Sequence, residues 1–266
     1  MAGAYDSFMI AQMLCVIFLG LCLGSFATAL AWRLPRELPW VRTRSVCTSC
    51  GHPLSWLDLF PVLSWLALRG RCRYCGVRID GRYPAIELAT VCVCGIFYWR
   101  YGLSWGVLPL YALAPVLLAA TDIDFRFKII PDILNGAVFL TAIVLLTVQA
   151  VQLGLGTEML LFWVKEAALG GLIYGGGSYL LRQIFLWKMR REALGLGDVK
   201  FFAAAGVWLG TDAMTMAYFL FFSGAAGVLL ALVWRRFKRE AAFPFGPALF
   251  LSFLCVLLWR GSYFLT

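Results

Sequence analysis

The chain of 266 residues has a single histidine, His52, and only 14% of its residues are charged. With one histidine there is neither an H-E-x-x-H metal site nor a hydrolytic triad that depends on an imidazole among the apolar segments. So little charge excludes an ordinary water-soluble domain, in which about 25% of residues are charged. A glycine-rich nucleotide fingerprint is also missing. The residues before the first apolar run include Asp6 and no Lys or Arg. That run is too long for a cleaved export signal, so it reads as an anchor.

What the chain does have is apolar surface, at 62% of residues. Apolar stretches recur at Phe8 to Trp32, Pro84 to Arg100, Ser104 to Thr121, Ile130 to Val151, Met159 to Trp187, Val199 to Leu209, Ala213 to Trp234 and Pro247 to Phe264. A bilayer takes about 20 residues to cross as a helix, so the pattern predicts an all-α polytopic membrane protein of about eight transmembrane helices, the sixth of them short. Glycines within the fifth and seventh stretches, Gly170, Gly171, Gly175, Gly176, Gly177, Gly224 and Gly227, are expected to serve close helix packing.

The formal charge of +9 raises the question of nucleic acid, and the placement of the charges answers it. If the N-terminus is outside and every stretch crosses, nineteen of the 23 Lys and Arg fall on one side. These are nine arginines from Arg33 to Arg82, then Arg126 and Lys128, then Lys188, Arg190, Arg191 and Lys200, then Arg235, Arg236, Lys238 and Arg239. Cytoplasmic loops collect basic residues in this way, so the partner of the charge is the membrane surface and nucleic-acid binding is not expected.

Only the segment 33–83 is long and polar enough to lie outside the membrane. It contains Cys47-Thr48-Ser49-Cys50-Gly51 and Cys72-Arg73-Tyr74-Cys75-Gly76. Two such knuckles can present four thiolates at tetrahedral corners, which predicts a small cytoplasmic zinc module between the first two helices. Disulfides or a redox pair are the alternatives, and a reducing cytoplasm disfavours the former. Leu54 to Leu68, rich in Trp and Leu around Pro61, is too broken to span and is expected on the membrane surface or beneath the cysteine site. The segments are thus 1–32, a first transmembrane helix; 33–83, the zinc-binding module; and 84–266, a helical membrane bundle.

Acidic residues cluster at three places in the bundle: Asp122-Ile123-Asp124, Pro131-Asp132, and Gly195-Leu196-Gly197-Asp198-Val199-Lys200. All three fall on the cytoplasmic side of the topology drawn from basic residues alone. Acids near a bilayer are expensive and mark function more often than acids in water. A close pair of carboxylates can take a proton from water and give one to an amide. A lone G-x-G-D is weak evidence; its glycines would let a backbone come close to Asp198.

Taken together, these motifs resemble the type IV prepilin leader peptidases, aspartyl membrane proteases of the G-x-G-D type. The resemblance runs from Gly24-Ser25-Phe26 through both knuckles, Pro61 to Trp65, Arg82-Tyr83-Pro84 and Glu87, Asp122 to Asp132, Gly195 to Lys200, and Pro244-Phe245-Gly246-Pro247. It implies an enzyme of the bacterial inner membrane that removes the basic leader of type IV prepilins or type II secretion pseudopilins on the cytoplasmic face. The catalytic pair it implies is Asp122 and Asp198, with Asp124 competing for the first place and Gly195, Gly197 and Lys200 in support. It also implies N-methylation of the new N-terminus from S-adenosylmethionine, with Arg82, Tyr83 and Glu87 in the methyl-transfer region. Thr28 and Leu59 depart from the family pattern. The alternatives of another class are a proton- or cation-coupled transporter with a zinc-stabilised loop, for which the halves show no repeat symmetry, and a non-catalytic membrane scaffold.

Overall fold

The structure, a computed structural model, describes residues 2–265 except 42, 191, 193, 239 and 241, and side chains from residue 7 onward. Arg42, Arg191 and Arg239, three of the basic residues counted above, lie outside the described residues, as does the side chain of Asp6. The helices are α1 (Ala2–Arg33), α2 (Leu63–Ala67), α3 (Arg82–Tyr101), α4 (Leu108–Tyr111), α5 (Leu113–Phe127), α6 (Asp132–Gln152), α7 (Thr157–Met189), α8 (Leu196–Leu209), α9 (Ala213–Lys238) and α10 (Gly246–Arg260). Each of the eight apolar stretches contains a helix, and the third is divided into α4 and α5. Among the described residues, four helical segments are long and apolar enough to cross a membrane: Ser7–Arg36, Leu108–Phe127, Asp132–Gln152 and Ala213–Lys238. The only extended pairings described are isolated bridges, Val46 with Pro53 and Arg71 with Arg78.

The chain forms two compact units, Met1–Ala119 and Ala120–Thr266. In the first, α1 lies against α3. The contact is close because it uses glycine: a Cβ on Gly24 would sit 2.6 Å from the Cα of Glu87, and one on Gly20 2.9 Å from the Cα of Val91. Between these helices runs the cysteine module. The segment Leu54 to Leu68 places its apolar side chains in two ways. Trp65 stacks under Gly70 and donates its indole N–H to the Ile79 carbonyl at 3.2 Å, while Trp56, Leu57, Phe60, Leu63 and Leu66 stay exposed.

The second unit is built around α8. Phe201, Phe202, Ala204, Ala205, Val207, Trp208 and Leu209 are all buried, so this helix has neighbours all round. Fourteen residues rise only about 21 Å. Trp208 donates to the Val138 carbonyl of α6 at 3.0 Å, and Phe201 meets Phe250 and Phe253 of α10 edge to face. One end of the unit gathers the C-terminal end of α5 and the starts of α6, α8 and α10. The opposite end is closed by Glu166, which accepts from the backbone N–H of Thr211 at 2.8 Å, and by Arg260, which meets Asp212 at 3.2 Å.

Helix α7 packs on α8 backbone to backbone, because Gly170 faces Gly206 and Gly175 faces Ala203. Gly171 meets Val207, and Gly227 of α9 meets Phe245. A Cβ added at Gly176, Gly177 or Gly224 would meet nothing within 4 Å among the described residues. A Cβ on Gly170 would lie inside contact distance of the Gly206 carbonyl oxygen. Gly170→Ala is therefore expected to destabilise the protein by about 1–3 kcal/mol, measured as a lower melting temperature in detergent, whereas Gly176→Ala should leave it unchanged.

Candidate active site

Three helix ends bring the acidic clusters together. Asp124 lies in the last turns of α5 and is buried, with 4% of its surface exposed. Its Oδ2 accepts the backbone N–H of Gly246 at 2.8 Å, at the N-terminus of α10, where unpaired N–H groups favour negative charge. The approach depends on glycine, since a Cβ on Gly246 would lie 2.9 Å from that oxygen. Asp198 stands in the first turn of α8, and its Oδ2 accepts the N–H of Gly195 at 3.1 Å. The two carboxylates are close enough to feel one another's charge. Asp122, two residues before Asp124 on α5, turns toward Arg126 one turn on, at 3.8 Å.

The other predicted residues support the turn that carries Asp198. Lys200 pairs with Asp132 at the start of α6 at 2.6 Å, and Asn135, also on α6, donates its Nδ2 to the Gly197 carbonyl at 3.0 Å. Gly197 is required by the protein's own packing, because a Cβ there would be 3.1 Å from the Cβ and carbonyl oxygen of Ile130. This differs from the sequence expectation that the glycine clears space for a substrate backbone: the space at Gly197 is filled by Ile130.

The four cysteines converge in the first unit. The ligand atoms of Cys47, Cys50, Cys72 and Cys75 all lie within 4.8 Å of one another, with Cys47 and Cys75 Sγ 3.9 Å apart. Edges of this length suit a tetrahedron of thiolates around one metal ion with metal–sulfur bonds near 2.3 Å. Both knuckles are the same structure twice. Cys47 N donates to His52 O and Gly51 N to Cys47 O, each at 2.9 Å; Cys72 N donates to Val77 O and Gly76 N to Cys72 O, each again at 2.9 Å. Gly51 and Gly76 both have left-handed φ, at 70° and 69°. The Cys50 backbone N–H draws the Cys47 thiol down to about 6. At Cys75 the Val77 N–H lowers the value, but burial and the neighbouring thiols outweigh it and push the thiol up to about 11. Thiols this close resist joint ionisation, and a bound cation removes that resistance.

Asp58 fastens the second knuckle to the intervening segment. Its carboxylate accepts from Ser55 N at 3.0 Å, Ser55 Oγ at 2.7 Å, Arg73 Nε at 2.7 Å and Tyr74 OH at 3.0 Å. Burial alone would raise its pKa, but these donors hold it well below the usual carboxylate range. The support is complete above the pKa of an unfolded aspartate, about 3.9, and is lost as the pH falls below it.

A cavity of about 530 Å³ lies in the same unit. Arg82, Tyr83 and Glu87 all line it, with Trp32 and Arg33 of α1 and Trp65 of α2; Thr28 and Leu59, the two departures from the family pattern, also lie on its wall. Arg33 is buried and donates to the carbonyls of Trp40, Thr43 and Arg44. Glu87 accepts the N–H of Val62 at 2.7 Å. Val62 has φ 61° and ψ −50°, and Leu63 N bonds back to Pro61 O, a γ-turn of the strained hand on a β-branched residue.

Two family descriptions match the chain: "Bacterial Peptidase A24 N-terminal domain" over residues 18–101 and "Type IV leader peptidase family" over residues 111–232. A prepilin leader peptidase/N-methyltransferase of Burkholderia pseudomallei is 32% identical over 285 residues, covering 96% of this chain and 87% of its own. The chain belongs to the type IV leader peptidase family. Two further members are similar: a prepilin leader peptidase/N-methyltransferase of Pseudomonas aeruginosa, 30% identical over 94% of this chain and 91% of its own, and a type 4 prepilin-like proteins leader peptide-processing enzyme of Escherichia coli, 31% identical over 92% and 93%. No solved structure matches the chain.

In this family member, sequence reasoning missed Gly246 and Asn135. Gly246 was visible inside the Pro-Phe-Gly-Pro motif, yet its partner lies far away in the chain; Asn135 carries no local signal. For the module, Asp58→Ala is expected to speed metal loss to a chelator by about 10–100-fold, followed as metal release from the purified protein at neutral pH.

Proposed function

We propose that this chain is an aspartyl endopeptidase of the bacterial inner membrane that removes the basic leader of type IV prepilins or type II secretion pseudopilins, with Asp124 and Asp198 as its carboxylate pair. The observation that carries the reading is the approach of these two side chains from α5 and α8 in a member of this family. Asp124 takes the place that the sequence match gave first to Asp122, because Asp124 is buried, is held by the Gly246 N–H and interacts electrostatically with Asp198, whereas Asp122 pairs with Arg126.

Close together, the two carboxyl groups hold one proton between them. The ionised one takes a proton from water, and the water oxygen attacks the scissile carbonyl. The protonated one gives its proton to the amide nitrogen as the C–N bond breaks, so the pair ends with one proton, as it began. Backbone N–H groups of Gly246 and Gly195 fix each carboxylate without adding an acid of their own. The transporter alternative has no comparable support from the family match.

Eight crossings with the N-terminus outside place this pair at the cytoplasmic surface. That orientation is supported by Lys128, Lys188, Lys200, Arg235, Arg236 and Lys238, which belong to the same loops and helix ends. The metal of the four-cysteine site is read as zinc in a closed structural site. The second activity is N-methylation of the new N-terminus. The cavity in the first unit fits S-adenosylmethionine in size, within the roughly 300–1,000 Å³ of small-molecule sites. It also fits in chemistry: Trp32, Trp65 and Tyr83 offer aromatic faces to a sulfonium, Glu87 a carboxylate, and Arg33 and Arg82 cations for the amino-acid carboxylate. When bound, the cofactor supplies an electrophilic methyl group. Glu87 holds the Val62 turn at the cavity wall.

Purified protein in nanodiscs, given a prepilin and read by mass spectrometry, tests the peptidase. Asp124→Asn and Asp198→Asn are each expected to slow leader removal by about 10²–10⁴-fold, while Asp122→Asn retains most of it. Equal loss in Asp122→Asn and full activity in Asp124→Asn would reverse the assignment. In the same assay Glu87→Leu is expected to abolish N-methylation and binding of S-adenosylhomocysteine, with leader removal kept.

A further inference from the structure

The start of α6 holds the Gly195–Asp198 turn from both sides of the aspartate. Asn135 donates Nδ2 to the Gly197 carbonyl at 3.0 Å, and that carbonyl belongs to the peptide group whose nitrogen is Asp198's own. Asp132, one helical turn earlier, meets Lys200 at 2.6 Å, two residues past the aspartate. Beneath them Ile130 fills the place of a Gly197 side chain. The carbonyl grip is the buried one: Asn135 is 5% exposed, whereas the Lys200–Asp132 pair is largely open to its surroundings.

Asn135 is an unexpected residue for this position if its task were only to fill space. Its Oδ1 is buried and has no hydrogen-bond partner among the described residues. A buried amide left half satisfied weakens a fold, and an apolar side chain of the same volume would not carry that penalty. What the amide adds is direction. A hydrogen bond to the Gly197 carbonyl fixes the rotation of the Gly197–Asp198 peptide plane, and with it the angle at which the Asp198 side chain leaves the backbone. The loop into α6 follows directly from α5, which carries Asp124. Asn135 therefore ties the backbone of one carboxylate to the segment that continues from the other.

We propose that Asn135 is a positioning residue of the peptidase, setting the orientation of Asp198 toward Asp124 through the Gly197 carbonyl. The inference rests on the carboxylate pair proposed above. Small errors in the placement of reacting groups reduce turnover more than they reduce binding. The signature is accordingly in kcat and in its pH dependence, since the shared proton depends on how the two carboxylates face.

The test compares wild type, Asn135→Leu, Asn135→Gln and Asp198→Asn in nanodiscs with a prepilin substrate. Asn135→Leu keeps volume and burial and removes the donor. It is expected to lower kcat by on the order of tenfold or more, with KM within about twofold, to displace the pH profile of kcat, and to leave the melting temperature unchanged or raised. Asn135→Gln, which retains an amide donor, is expected to recover part of the loss and return the pH profile toward wild type. Wild-type kcat and pH profile in Asn135→Leu would overturn the inference. So would a loss that only follows the fraction of folded protein, with an unmoved profile. Cleavage by Asp198→Asn at the wild-type rate would remove the carboxylate pair itself, an outcome separate from failure at Asn135.

Discussion

Everything in the peptidase half depends on bringing two acids to an apolar bundle without leaving their charge unsupported. The fold does this with backbone amides. Helices begin with N–H groups that have no partner inside the helix, and two helices, α8 and α10, begin where the acids are. Asp124 takes an N–H at the start of α10, and Asp198 sits in the first turn of α8. Arginine or lysine in those places would stabilise the ionised forms more strongly. Neutral donors hold the carboxylates without adding a charge, which is what the proposed sharing of one proton requires.

That arrangement explains the burial of α8. Its first turn is held by the start of α6, and the rest of the helix runs between its neighbours. Its remaining residues are consequently packed on every face, through Trp208 to α6, Phe201 to α10 and Gly206 to α7. The first unit solves a different problem. Its module needs a rigid frame on the surface of two helices, and it is built from two copies of one knuckle, the Asp58 cluster, and the strained turn at Val62 held by Glu87.

The helices and the cysteine site were legible in the sequence because their causes are local. A long apolar run has no option but a helix, and C-x2-C-G carries its own turn geometry. The number of true crossings is less legible, since α3, α7 and α8 mix charge or brevity with apolar faces. Local reasoning could not separate Asp122 from Asp124: both lie near the same helix end, and the proposed preference for Asp124 draws on Gly246, met only after the chain has made four more helices. Asn135 was hidden for the same reason. Its neighbour in space is a carbonyl, which leaves no mark on composition or spacing. The cavity that gathers Arg82, Tyr83 and Glu87 with Trp32 and Arg33 also needs the folded unit, although the motif match had pointed to three of its walls.

The contact of Gly170 with Gly206 brings main chain against main chain, with no side chain between them to change rotamer. Helices joined this way have no slack, so α7 and α8 behave as one rod rather than two. Any tilt of α7 is then a tilt of the strut that carries Asp198 on its tip. Any adjustment around Asp198 then falls to the α5 and α10 side, where one amide and one carboxylate form a joint that can give.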